Sequence, residues 1–253
     1  MQSNAHFDKR QIHRALVNGE MFLEYMPTVS LQDGNRCVGG EALIRWRRNG
    51  RVVMPMEFIP IIENTPVGGL LTYWVIDTVA AELGAWLRKT PDVQIGINVP
   101  PEVLGRGGLE YAVRKSHLES VRDRLILEVT ERGIPDRLGL DELDDLSMEG
   151  VRIGLDDVGV NDSNLLVLFQ APVDIIKLDR RMVTHIDGDK GDDALRTLAP
   201  LIHASGRTVI AECVERPEQA AALAKAGIQL AQGYLYSRPL PAAAFMAWHA
   251  MHR

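Results

Sequence analysis

Val151-Arg152-Ile153-Gly154-Leu155-Asp156-Asp157-Val158 is an apolar run that ends on two adjacent carboxylates. Its continuous hydrophobicity marks a strand buried on both faces of a helix-covered parallel sheet. A carboxylate at the end of such a strand is costly unless it is paired, hydrogen-bonded or bound to a metal. Six further runs share the plan: Glu41 in GGEALIRW, Asn98 in VQIGINVP, Glu128 in LILEVTE, Lys177 in DIIKLD, Glu212 in TVIAECVE and Gln232 in LAQGYLY. One such strand is an accident, whereas a series separated by helical segments describes the mouth of a barrel enzyme.

The intervals between these runs support that reading. Helices are predicted near Lys9–Asn18, Glu57–Asn64, Gly69–Arg88, Pro101–His117, Leu138–Glu149, Ser163–Phe169, Asp192–Ala204, Pro217–Ala226 and Pro241–Met251. The exception is Gln32-Asp33-Gly34-Asn35, a tight turn signal between the runs Leu23–Leu31 and Cys37–Trp46. It is too short to hold a crossover helix, so those two strands must run antiparallel. The expected fold is therefore α/β, a modified TIM (β/α)8 barrel with an antiparallel first strand. Alternation places Glu41, Leu43 and Arg45 on one strand face and Ala42 and Ile44 on the other.

A length of 253 residues matches one such barrel. The net charge of -6 argues against a nucleic-acid polymer as partner, which calls for a basic face, but not against a small anionic ligand met by bound cations. Two cysteines, Cys37 and Cys213, give no disulfide framework, so a reducing cytoplasm is the expected location. They read as small buried hydrophobes. No run of 18 apolar residues appears, so no membrane insertion is expected. Residues 1–5 read as the remnant of a cleaved tag and residues 6–253 as one barrel domain. His249 and His252, near the chain end, read as solvated; Trp46, Trp74 and Trp86 read as packing residues.

Two hard divalent cations held by oxygen ligands suit phosphodiester hydrolysis, since they acidify a water and neutralise phosphoryl charge. Glu41, Asn98, Glu128, Asp156, Asp157 and Glu212 offer the oxygens that Mg²⁺ or Mn²⁺ prefers. Lys177 could orient the attacking oxygen or hold a phosphate, and Arg45 offers a bidentate fork for a second phosphate. Taken singly, each residue has a plainer reading. Asp156-Asp157 could be a turn or a helix cap, Glu41 could pair with Arg45, Lys177 with Asp179, and Asn98 could serve turn chemistry. Their joint occurrence at successive strand ends favours a site.

At these residues the chain resembles the EAL-domain family of cyclic-di-GMP-specific phosphodiesterases. The resemblance spans about Phe22 to Leu240 through YMP, GGEALIRW, PMEFIPIIE, INVP, LEVTE, LDDVG, DIIKLD, AECVE and QGYLYSRPL. It implies a barrel with an antiparallel strand, two Mg²⁺ or Mn²⁺ ions and cleavage of cyclic di-GMP to linear 5′-pGpG. By position it implies metal ligation by Glu41, Asn98, Glu128, Asp156, Asp157 and Glu212, with Asp156 shared between the ions. Lys177, Glu212 and Gln232 are the implied catalytic residues, Lys177 and Gln232 acting on the attacking water. Leu43 and Arg45 are implied substrate contacts. Glu131 is implied to steady the loop after the aspartate pair; Glu215 matches a family glutamate of less defined role. A homodimer is the implied assembly, and sensor domains outside this chain are common companions.

The departures are specific. The family's DDFGTG loop reads Asp156-Asp157-Val158-Gly159-Val160-Asn161 here, Met26 replaces the glutamine of YQP, Pro100 replaces a serine, and Cys213 replaces a glycine. The altered loop motivates a second expectation: a receptor that binds cyclic di-GMP with little or no turnover.

Overall fold

The computed structural model describes residues 7–129, 135–158, 171–184, 186 and 206–253. The expected helices Ser163–Phe169 and Asp192–Ala204, Glu131 and the loop after Val158 lie outside the described residues.

Among the described residues nine strands form one sheet: β1 Met21–Ser30, β2 Cys37–Arg48, β3 Arg51–Val53, β4 Gln94–Val99, β5 Leu125–Val129, β6 Arg152–Val158, β7 Ile175–Leu178, β8 Thr208–Ala211 and β9 Leu230–Ala231. The order β1-β9-β8-β7-β6-β5-β4-β2, with β1 also paired to β2, closes a ring of eight; β3 hangs from β2. Within the ring β1 runs antiparallel to both neighbours and the other pairings are parallel. The Gln32–Asn35 turn produces this reversal as expected.

Around the ring lie α1 Lys9–Val17, α2 Pro55–Ile62, α3 Pro66–Leu87, α4 Gly108–Lys115, α5 Arg137–Met148, α6 Arg180–Thr184, α7 Pro217–Lys225 and α8 Ala242–Met251. Asp8 caps α1, its side chain accepting from Gln11 N at 2.8 Å. The expected helix Pro101–His117 is split into a 3₁₀ turn, Pro101–Val103, and α4. Gly105 and Gly107, at φ 72° and 70°, break it, because left-handed backbone cannot continue a right-handed helix. β3 was not expected; Asn49 and Gly50, both at positive φ, make the turn into it. Among the described residues, α3 alone is long and apolar enough to cross a membrane by length and composition. Here it packs against α1, α2, α4 and the barrel wall. An all-round apolar helix is also what burial between layers requires.

Strand alternation sorts side chains between two compartments. Ile95, Ile97, Leu125, Leu127, Ile153, Leu155, Ile176 and Val209 face outward into the core beneath the helices. The inward set forms layers. At the bottom, Arg152 donates to Gln94 Oε1 at 2.8 Å and to Thr208 Oγ1 at 3.3 Å. Above it Ile126, Ile175, Ile210 and Leu230 form a separate apolar plug. Two residues further along those strands stand Glu128, Lys177, Glu212 and Gln232.

Trp46 packs on Phe7 and Phe58, and Trp86 on Phe245, as packing residues should. His249 corrects an expectation: it is fully buried and meets Trp86 edge-on, because α8 lays its Phe245–His249 face on the barrel. His252 is exposed as expected.

Candidate active site

The centre of the mouth is Lys177, which has no solvent exposure. Its Nζ lies 3.0 Å from Glu41 Oε2, 2.9 Å from Glu128 Oε2, 3.1 Å from Asp156 Oδ1 and 2.6 Å from Glu212 Oε1. Asn98 Nδ2 donates to the other Glu41 oxygen at 2.7 Å. Residues from five ring strands and the end of a sixth thus converge, although up to 136 residues separate the partners.

Local backbone explains how they fit. Asn98 stands opposite Glu128 in the parallel register, and Glu41 opposite Gly96. A Cβ at Gly96 would fall 2.1 Å from Glu128 Oε1, so the absence of a side chain there gives Glu128 its place. In β6 the register slips between Leu155 and Val158, and Asp157 is left-handed at φ 55°. That slip frees two successive carboxylates from strict alternation, so Asp156, Asp157 and Glu212 bring oxygens within 4.8 Å of one another. Cys213 follows Glu212, also left-handed at φ 55° and half-buried. This corrects its reading as a small buried hydrophobe; a backbone suited to glycine bends the chain away from the strand there. Cys37 is buried as expected.

Charge is badly balanced. Burial works against the Lys177 ammonium, but Asp156, Glu128, Glu212 and Glu41 outweigh it and hold its pKa well above the lysine range. Burial pushes Glu128 well above the usual carboxylate range, Lys177 opposing and Glu41 and Asp156 reinforcing. Burial, with Asp156 and Glu41 adding to it against Lys177, pushes Glu212 up to about 8. An ammonium has three donors and meets four carboxylates. Asp156 Oδ1 is the loser: although 3.1 Å from Nζ, it is buried without a hydrogen bond. An orphaned buried acceptor among surplus carboxylates fits a hard divalent cation held by oxygens.

A groove of about 340 Å³ opens from Asn98, Asp156 and Asp157, with walls that include Leu43, Met56, Ile59, Ile62, Leu71 and Pro100. Arg45 is buried and committed, donating to Glu24 Oε2 at 2.8 Å and to Ile44 O at 2.9 Å. It does not pair with Glu41. Nor does Lys177 pair with Asp179, which binds Arg181. Gln232 is buried, with Nε2 donating to Thr28 Oγ1 at 2.7 Å. Glu215 lies away from the lysine, 4.0 Å from Arg180. Sequence reading missed Thr28 and Gly96. Thr28 sits inside the reversed strand of the ring, where a search of strand ends does not look; the alternation Gln94-Gly96-Asn98 could have flagged the glycine.

The EAL domain family model matches residues 9–239. Among curated relatives, Probable cyclic di-GMP phosphodiesterase PdeB of Escherichia coli (strain K12) is 31% identical over 250 residues, covering 96% of this chain and 47% of its own length. The chain thus spans about half of that relative. A solved structure of the PaMucR phosphodiesterase in complex with c-di-GMP superposes with a TM-score of 0.83 at 30% identity, over 93% of this chain and 98% of the other. The cAMP and cyclic-di-GMP bound form of the EAL enzyme Bd1971 gives 0.82 at 31% identity, over 94% and 67%.

Proposed function

The chain belongs to the EAL domain family, and on that premise we propose that it hydrolyses cyclic di-GMP to linear 5′-pGpG. The observation that carries the reading is the cage itself: one buried lysine among Glu41, Glu128, Asp156 and Glu212, beside a groove with apolar walls. Glu41, Asn98, Glu128, Asp156, Asp157 and Glu212 would hold two Mg²⁺ or Mn²⁺ ions. Bound there, such ions neutralise phosphoryl charge and acidify a water.

The chain's own side chains do the rest. Leu43 and the α2–α3 wall of the groove hold a flat base against apolar surface. Arg45, committed to Glu24 and Ile44, would meet a phosphate only with the N–H donors that those two bonds leave over. Lys177 acts as donor and not as base, because the surrounding carboxylates keep it protonated; it orients the attacking oxygen. Glu212, 2.6 Å from Lys177 Nζ, joins it as a catalytic side chain and as a ligand of the ions. Gln232 orients the same water. One P–O3′ bond breaks, the water oxygen ends on phosphorus in the 5′-phosphate, and a proton of that water ends on the departing 3′-hydroxyl.

A homodimer, a cytoplasmic location and sensor domains joined to this chain belong to the same proposal, supported by the family likeness and by relatives longer than this chain. Chromatographic assay of the purified chain with cyclic di-GMP and Mg²⁺ or Mn²⁺ tests the activity. Formation of 5′-pGpG by the parent and not by Glu41→Ala supports it. Tight binding without product in either metal transfers the assignment to the receptor expected from the altered loop.

A further inference from the structure

Each of the seven other ring strands contributes a polar side chain to the mouth, from Glu41 on β2 round to Gln232 just beyond β9. The eighth, β1, runs the opposite way. Its lumenal face is read from register: Met26 stands opposite the inward Glu41, so Thr28, two residues on, also faces inward. Thr28 and Gln232 are 5% and 4% exposed, so their mutual hydrogen bond is shielded from water. It crosses the seam where β1 meets β9, next to the pair Val29–Ala231.

We propose that Thr28 is the β1 member of the mouth and a positioning residue that fixes the carboxamide of Gln232. The inference rests on the phosphodiesterase reading above. The main chain of Gln232 is already held, its N–H donating to Ala211 O at 2.8 Å and its carbonyl accepting from Val214 N at 3.0 Å. What remains free is the rotation of the amide, whose two ends have nearly the same shape and opposite chemistry. Thr28 accepts from Nε2, so Oε1 is the end left for the mouth. That end is a neutral acceptor, unlike the four carboxylates that share Lys177. Lys177 offers only donors, and a water held by a donor alone can still spin. An acceptor two strands away in the ring fixes its second direction. Glu212 stands beside Gln232, because Ala211 and Ala231 pair and both chains continue inward.

Thr28→Val removes the hydroxyl at nearly constant volume, and Thr28→Ser keeps it. The expected result is a fall in kcat for cyclic di-GMP of about 10-fold to 100-fold in Thr28→Val. KM should move by less than about twofold, and Thr28→Ser should restore the rate. In a Gln232→Ala background, Thr28→Val should add no further loss. The Gln232 side-chain amide protons should exchange slowly with solvent in the parent and faster in Thr28→Val. Thr28→Ala should behave like Thr28→Val, which covers any misfit of valine at the seam. Parent-like kcat in both apolar variants, or a loss that persists in full without Gln232, overturns the proposal while leaving the phosphodiesterase reading intact. If the parent itself forms no product, that reading fails, and amide exchange decides alone: equal rates in parent and Thr28→Val reject the positioning role.

Discussion

Two layers of the same barrel lumen, one pleat apart, solve burial in opposite ways. The lower layers are closed accounts. Arg152 meets Gln94 and Thr208, and Ile126, Ile175, Ile210 and Leu230 meet one another. The upper layer sets one ammonium among Glu41, Glu128, Asp156 and Glu212, with Asp157 beside them, and leaves Asp156 Oδ1 unsatisfied. Burying an isoleucine contributes about 1.5–3 kcal/mol. Burying like charges costs stability unless something neutralises them. The lower lumen therefore holds the barrel together, and the upper lumen is strained in favour of a ligand. The contrast teaches where to look for function: at the layer that the protein does not complete by itself.

Breaking Lys177 should have the largest effect. Lys177→Met leaves the carboxylates facing one another, and we expect a loss of about 3–5 kcal/mol in metal-free protein, measured by urea unfolding, together with loss of turnover. Ile175→Ala, two residues earlier on the same strand, should cost about 2–5 kcal/mol by leaving a cavity in the plug. Its loss should not depend on added Mn²⁺, whereas that of Lys177→Met should shrink when cations are supplied.

pH sharpens the comparison. A carboxyl whose folded pKa is raised keeps its proton longer in the folded chain than in the unfolded one. The stability of metal-free protein should therefore fall as pH rises from about 4.5, the unfolded value, to about 8, the folded value for Glu212. The expected loss is about 2–4 kcal/mol, read from thermal or urea unfolding at several pH values. Lys177, raised above its ordinary value, changes its contribution only above that window. The smallest expected effect is a gain: at pH 8 Glu128→Gln should stabilise metal-free protein by about 1 kcal/mol, seen as a higher Tm, while abolishing turnover.

Much of this contrast was legible in the chain. Continuous apolar runs ending in Glu128, Asp156 or Lys177 announced both the parallel strands and their mouth, and the Gln32–Asn35 turn announced the reversed strand. What was not legible depends on closure. Arg45 could not be seen to choose Glu24 over Glu41, because that choice is made across the β1–β2 ladder. Thr28 gained its partner from a strand about two hundred residues away, at the seam that closes the ring. His249 was hidden by a helix that folds back onto the barrel. The Asn49-Gly50 turn, by contrast, was a local signal open to a closer reading.

The most direct test of the central claim, that the upper layer is a carboxylate cage built for cations, is a calorimetric titration of metal-free protein with Mn²⁺ at pH 7 in two buffers of different ionisation enthalpy. The account predicts binding of two ions and release of a proton, since Glu212, with its pKa pushed up to about 8, must give one up to become a ligand. No binding at millimolar Mn²⁺, or binding without proton release that survives Asp156→Asn with Glu212→Gln, would contradict it.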